Sequence, residues 1–254
     1  MLLDGRTAVI YGGGGAIGGA VARAFAREGA RVFLAGRTQA TLDAVAGDIR
    51  SRGGTAQTAI VDALDERAVD EFTADVAQRA GSLDISMNVI GHPFTHGTPL
   101  WEMSVDDFMA PLEVAARSTF ITARAAARHM IPQGSGVLLS FGGPGDRSAP
   151  MRDYFLGGTQ VAFDAIESMR RQLAVELGRH GIRVVTLSSG GVPETFPSDF
   201  EGASEIAEGI AAQTLLGRAA TLEDVGNAAV YAASDWGRTL TGATLNVSCG
   251  ALMD

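Results

Sequence analysis

The chain has 254 residues, 46% hydrophobic and 19% charged, with 33 glycines and a single cysteine. Its basic residues are 20 arginines and no lysine; against 29 acids the net charge is −9. That size suits one large domain with a full core, the apolar fraction excludes a mostly disordered chain, and the acidic balance argues against a nucleic-acid partner.

Strand-like and helix-like runs alternate from end to end. Thr7–Tyr11 reads as a short buried strand, and Ala16–Arg27 as a helix with Ile17, Val21, Ala24 and Phe25 on one side. Next come strand Arg31–Ala35, helix Thr38–Arg52, strand Ala56–Val61, helix Asp65–Ala80 and strand Ile85–Ile90. A long helix follows over Val105–Met130, with Pro111 tolerable near its first turns. Strand Gly136–Phe141 leads through a Gly/Pro loop into a second long helix ending near His180. Strand Arg183–Ser188, helices Ala203–Leu216 and Leu222–Ser234, and strand Thr244–Val247 complete the chain. This alternation predicts an α/β fold of right-handed βαβ units, a doubly wound parallel sheet covered on both faces. No composition break divides residues 1–254, so a single domain is expected, with a candidate lid in the irregular stretch 190–217.

A lone cysteine forms no internal disulfide and is easiest to place in a reducing cytoplasm. The first six residues meet acid and glycine too early for a signal peptide, and no apolar run approaches the roughly 18 residues of a membrane span. A composition free of lysine closes every mechanism that needs a side-chain ammonium group.

After the first strand stands Gly12-Gly13-Gly14-Gly15-Ala16-Ile17-Gly18-Gly19, and then a helix. Glycines at a strand-to-helix turn let backbone N–H groups approach a pyrophosphate at the helix N-terminus, where the dipole favours anions. The second strand leads into Arg37 and Thr38, with no acid there to accept from a ribose diol. A guanidinium fork beside a hydroxyl suits a 2′-phosphate, so the expected cofactor is NADP(H).

With these features, the chain resembles the short-chain dehydrogenase/reductase family over its whole length. The family's Thr-Gly-x-x-x-Gly-x-Gly turn corresponds to Tyr11 through Gly18, with Ala16 at its middle glycine. Val61-Asp62-Ala63 matches the acid after the third strand, which in the family meets the adenine. Asp84 through Gly91, including Asn88 and Val89, looks like the family's fourth strand. The segments Gly181–Val185 and Gly217–Val247 are similar to its C-terminal pattern. The resemblance implies seven strands and a nicotinamide cofactor held by Gly12, Gly14, Gly15, Ala16, Ile17, Gly18, Arg37, Thr38, Asp62, Ala63, Asn88, Val89 and Gly91. It also implies a small-molecule substrate and a homodimer or homotetramer.

The family's catalytic Tyr and Lys positions fall on Thr159 and Phe163, its long-helix Asn on Ala115, and its Ser on about Gly143. This predicts a member with an atypical active site. Tyr154 is the best remaining proton donor, because a phenol is mostly protonated at neutral pH. Arg152 or Arg147 offers a permanent positive field. His92 is a substrate contact or an alternative acid. Ser140 falls three residues too early for the family's Ser. His92 and His96 share a loop with Pro93 and Gly97 and have no acid or cysteine cluster beside them, so no metal is expected.

Hydride transfer to a carbonyl, enone or imine with a non-standard proton donor is one function compatible with this pattern. A catalytically inactive NADP(H)-binding regulator or scaffold is another, as is a non-redox isomerase, lyase or cyclase on the same fold.

Overall fold

In a computed structural model, residues 1–93, 97–142, 155–197 and 202–252 are described. The elements are β1 (Thr7–Tyr11), α1 (Ala16–Arg27), β2 (Arg31–Gly36), α2 (Gln39–Ser51), β3 (Thr55–Ile60), α3 (Glu66–Ala80) and β4 (Ile85–Asn88). They continue with α4 (Val105–Gln133), β5 (Gly136–Phe141), α5 (Gly158–Leu177), β6 (Ile182–Ser188), α6 (Ala203–Ala212), α7 (Leu222–Ala233) and β7 (Ala243–Asn246). All seven strands are parallel, in the order β3-β2-β1-β4-β5-β6-β7.

The pleat sends alternate residues to opposite faces. Ala8 and Ile10 of β1, with Val32 and Leu34 of β2, join Val21 and Phe25 of α1, Val45 of α2 and Val225 of α7. Val9 and Tyr11, with Phe33 and Ala35, join Val69 and Val76 of α3, Ile121 and Met130 of α4 and Leu177 of α5. The sheet is therefore buried on both sides, as parallel sheets are. Chain order reverses beside β1: β2 leaves on one side and β4 lies on the other, with Tyr11 opposite Ala35 and Asn88. The crevice at such a switch point is where open α/β sheets take their ligands.

Several element ends differ from the sequence expectation, each for a local reason. β4 stops at Asn88 rather than Ile90 because its partner β1 stops at Tyr11; Val89 N–H makes the last bond, to the Tyr11 carbonyl at 3.0 Å. α4 runs three residues past Met130, through Pro132, and ends on Gly134 at φ 68°. A proline in the last turn removes only one donor, and the left-handed glycine supplies the stop. α6 ends at Ala212 instead of Leu216, because Leu216 N–H is drawn to the Cys249 carbonyl at 3.1 Å. Asp65 caps α3 from outside, accepting from Arg67 and Ala68 N–H at 3.0 and 3.1 Å. Cys249 is half-buried with φ 56°.

Candidate functional site

The turn between β1 and α1 closes on itself. Gly12 sits at φ 83°, and its N–H bonds the Ala35 carbonyl at 2.9 Å, while Gly15 N–H bonds the Gly12 carbonyl at 3.0 Å. A side chain at Gly12 would put Cβ 2.5 Å from the Val89 carbonyl oxygen, and one at Gly18 would collide with the Gly12 carbonyl. Only glycine meets both demands, a left-handed φ at one position and backbone-to-backbone contact at the other. α1 has no side-chain cap and no acid in its first turn. The N–H groups of Ala16 and Ile17 therefore keep no intrahelical partner, and the positive end of the helix dipole stays open.

Beside this turn lies a cavity of about 420 Å³. Gly12, Gly14 and Gly15 line it from the turn, and Arg37 and Thr38 from the segment between β2 and α2. Asp62 and Ala63 come from the loop after β3, and Val89 and Gly91 from the segment after β4. Nine of the expected cofactor residues thus meet around one space. Arg37 is exposed and, among the described residues, has no acidic partner within ion-pair distance. One Asp62 oxygen accepts Leu64 N–H at 3.0 Å, which fixes the loop and leaves the other oxygen free.

Four expected residues do not line that space. Ala16, Ile17 and Gly18 follow the turn at the start of α1, and Gly18 closes it against Gly12. Asn88 points inward: its amide nitrogen donates to Ser118 and Thr122 of α4 at 3.2 and 3.3 Å, and its oxygen accepts Ile90 N–H at 2.9 Å. A side chain with both ends engaged and 8% exposed clamps β4 to α4. Thr41 and Val114 line the cavity without having been expected. Thr41 lies one helical turn after Thr38 and donates to the Thr38 carbonyl at 3.0 Å, a spacing that could have disclosed it.

A broader, open depression of about 740 Å³ borders the start of α3. Asp62, Asp65, Glu66, Asp70 and Glu71 outnumber Arg67 and Arg117 in its lining, which disfavours an anion there. Among the described residues no group of three or more His, Cys, Asp or Glu side chains could hold a metal, and no helix is long and apolar enough to cross a membrane.

Tyr154, Arg152, Arg147 and His96 lie outside the described residues. His92 is half-buried just after β4, between Gly91 and Pro93, which both line the cavity. Its Nδ1 is 3.1 Å from the Pro93 carbonyl, and its ring meets Phe163 of α5 edge-to-face with centroids 5.3 Å apart. Phe163 also packs on the end of β5, where a Cβ on Gly142 would lie 3.4 Å from its Cδ1. Thr159, one turn earlier on α5, is fully buried, and its hydroxyl lacks a hydrogen-bond partner. Ala115 of α4 packs with Ala162 and Ile166 in a small apolar cluster. The glycine turn, Arg37, Thr38, Asp62, Ala63, Val89 and Gly91 thus border one groove beside the uncapped N-terminus of α1.

Comparison with known proteins agrees with this geometry. A family model described as Enoyl-(Acyl carrier protein) reductase matches residues 14–251. Gluconate 5-dehydrogenase of Gluconobacter oxydans is 28% identical over 248 residues, covering 98% of this chain and 95% of that protein. Secoisolariciresinol dehydrogenase of Forsythia intermedia is 30% identical over 258 residues, covering 98% and 89%. A crystal structure of a gluconate 5-dehydrogenase from Burkholderia cenocepacia, in complex with NADP and tartrate, superposes with a TM-score of 0.85 at 26% identity, covering 98% of this chain and 96% of that one. A glycine cradle at the switch point of a seven-stranded parallel sheet, matched along the whole chain by such relatives, places the protein in the short-chain dehydrogenase/reductase family of NAD(P)-binding oxidoreductases.

Proposed function

We propose that the protein is an NADP(H)-dependent oxidoreductase that exchanges a hydride with a carbonyl, enone or imine carbon, using a proton donor other than the family's tyrosine–lysine pair. The observation that carries the cofactor reading is Arg37, an exposed guanidinium with no acidic partner among the described residues, on the rim of the glycine-lined cavity. A planar fork of donors matches a phosphate monoester, and Thr38 and Thr41 add hydroxyls beside it. A similar protein whose structure holds NADP supports the same choice.

When bound, the nicotinamide ring supplies the hydride chemistry. The chain's share is to hold and orient. The uncapped N-terminus of α1 would hold the pyrophosphate, Arg37 and Thr38 the 2′-phosphate, and Asp62 and Ala63 the adenine. Gly91 and the residues after it flank the reacting end. Tyr154, Arg152 and His92 are the candidates for moving a proton or stabilising an oxyanion there. We take residues 190–217 as the cover of a single domain. The assembly is taken as a homodimer or homotetramer working in the cytoplasm.

Phe163 favours a second reading, an NADP(H)-binding protein without turnover, because an aromatic ring stands on α5 where the family resemblance calls for a cation. One experiment separates the two. Purified protein with NADPH is offered ketones, enones and imines while the nicotinamide absorbance is followed. Turnover on any class supports the oxidoreductase; micromolar NADPH binding without turnover on all of them supports the second reading. Arg37→Ala is expected to weaken NADPH by about 10–100-fold while leaving NADH unchanged, the worth of a charge-assisted contact. An unchanged ratio defeats the NADP(H) assignment.

A further inference from the structure

We infer that His92 Nε2 is the proton acceptor of this site and that Phe163 is its positioning residue. This rests on the oxidoreductase reading above and selects one of its three proton-moving candidates.

The argument starts from a hydrogen bond. A carbonyl oxygen only accepts, so the contact between His92 Nδ1 and the Pro93 carbonyl at 3.1 Å places a proton on Nδ1. In the neutral imidazole the other nitrogen, Nε2, then carries a bare lone pair. The ring is also fixed in orientation. Phe163 presents its ring to it at 5.3 Å and 69°, the edge-to-face arrangement that aromatic pairs prefer. Phe163 is itself seated against Gly142, just past β5, so the ring that meets the imidazole is held in turn. His92 lies between two residues of the cavity wall, at the end of β4 where the parallel strands of the sheet open. The two described tyrosines lie elsewhere: Tyr11 packs its ring on Phe72 of α3, and Tyr231 is on α7.

A bare, oriented nitrogen is a base, so it removes a proton from a substrate hydroxyl. The alcohol's O–H bond breaks and its proton passes to Nε2. The carbinol C–H bond breaks with both electrons going to an oxidised nicotinamide, and the C=O bond forms. The reverse reaction consumes the Nε2 proton and a reduced nicotinamide. Nothing in this balance requires a lysine.

Long-range ¹H–¹⁵N spectra of the histidine side chains, assigned with His92→Asn, read the tautomer directly in the NADP⁺-loaded protein. We expect the Nδ1–H form at His92; the Nε2–H form overturns the assignment. Phe163→Leu should move the His92 ring resonances and mix the tautomers, and Phe163→Tyr should restore them; spectra indifferent to Phe163→Leu remove its positioning role. Turnover of secondary alcohols with NADP⁺ gives the second readout. His92→Asn should lower kcat by about 10²–10⁴-fold with NADPH affinity unchanged. Turnover that survives His92→Asn but not Tyr154→Phe gives the role to Tyr154 and overturns this inference alone. No turnover of any alcohol or ketone by the unaltered protein overturns the oxidoreductase reading itself.

Discussion

Glu167 and Arg170 form an ion pair at 3.0 Å on one turn of α5, both side chains less than a tenth exposed. The same carboxylate accepts from the Thr244 hydroxyl at 2.7 Å, and the guanidinium donates to the Gly242 carbonyl. The pair therefore ties α5 to the edge strand β7. Burial pushes the Glu167 carboxyl upward, but hydrogen bonds from Thr244 and Arg170 outweigh it and hold the group below its usual range.

Removing one charge of such a pair leaves the other buried and uncompensated. Glu167→Gln and Arg170→Met are each expected to destabilise the fold by about 3–5 kcal/mol. The double substitution should cost clearly less than the two singles added together. Denaturant unfolding of the four proteins in the cycle measures this; strict additivity would show that the pair is not coupled.

Gly158, the first residue of α5, sits so close to α4 that a Cβ would collide with the Phe108 carbonyl oxygen and press on the Pro111 ring. Helices can approach so closely only where a side chain is missing. Gly158→Ala should force the two longest helices apart and cost about 1–3 kcal/mol in overpacking. A thermal midpoint equal to that of the unaltered protein would refute this.

Asp224 closes the capping box of α7, accepting from Thr221 N–H at 3.0 Å and pairing with Arg218 at 2.7 Å. Arg218, and then the Thr221 backbone, hold its pKa at about 2. A lowered folded-state pKa gives stability that is complete above the unfolded value of about 3.9 and fades as pH falls toward 2. Asp224→Asn should remove this part of the acid sensitivity and cost about 1 kcal/mol of capping at neutral pH. Unfolding titrations at pH 7, 4 and 2.5 test the slope, which the variant should flatten.

Gly18→Ala drives a methyl into the Gly12 carbonyl and toward the Val89 side chain. The turn must open by the same movement that shapes the cradle. NADPH binding should weaken by roughly 5–150-fold, the equivalent of about 1–3 kcal/mol of overpacking. Fluorescence titration of NADPH reads this, and unaltered affinity would remove the turn from the binding site.

The alternation of strands and helices was visible because each element carries its own period, and the core faces of β1 and β2 follow from simple alternation. Ends were less legible where a distant residue sets them. Ile85–Ile90 looks like one apolar run, yet pairing stops at Asn88 because Tyr11 ends its neighbour. The phosphate end of the groove was readable because its glycines are contiguous. An amide gives no sign in the sequence of which way it turns, and the bonds from Asn88 to Ser118 and Thr122 had no local signal. The meeting of His92 with Phe163 had no local signal, since the two lie on separate elements that only the sheet brings together.

The contact between Gly12 and the Val89 carbonyl has a consequence for how this protein can change. The floor of the coenzyme groove is made of main chain, so substitution of side chains around it leaves its shape intact. At the other end the described contact is between side chains, His92 and Phe163. Affinity for the coenzyme and choice of reaction are thus inherited separately, and a descendant of this chain can exchange its chemistry while keeping its coenzyme.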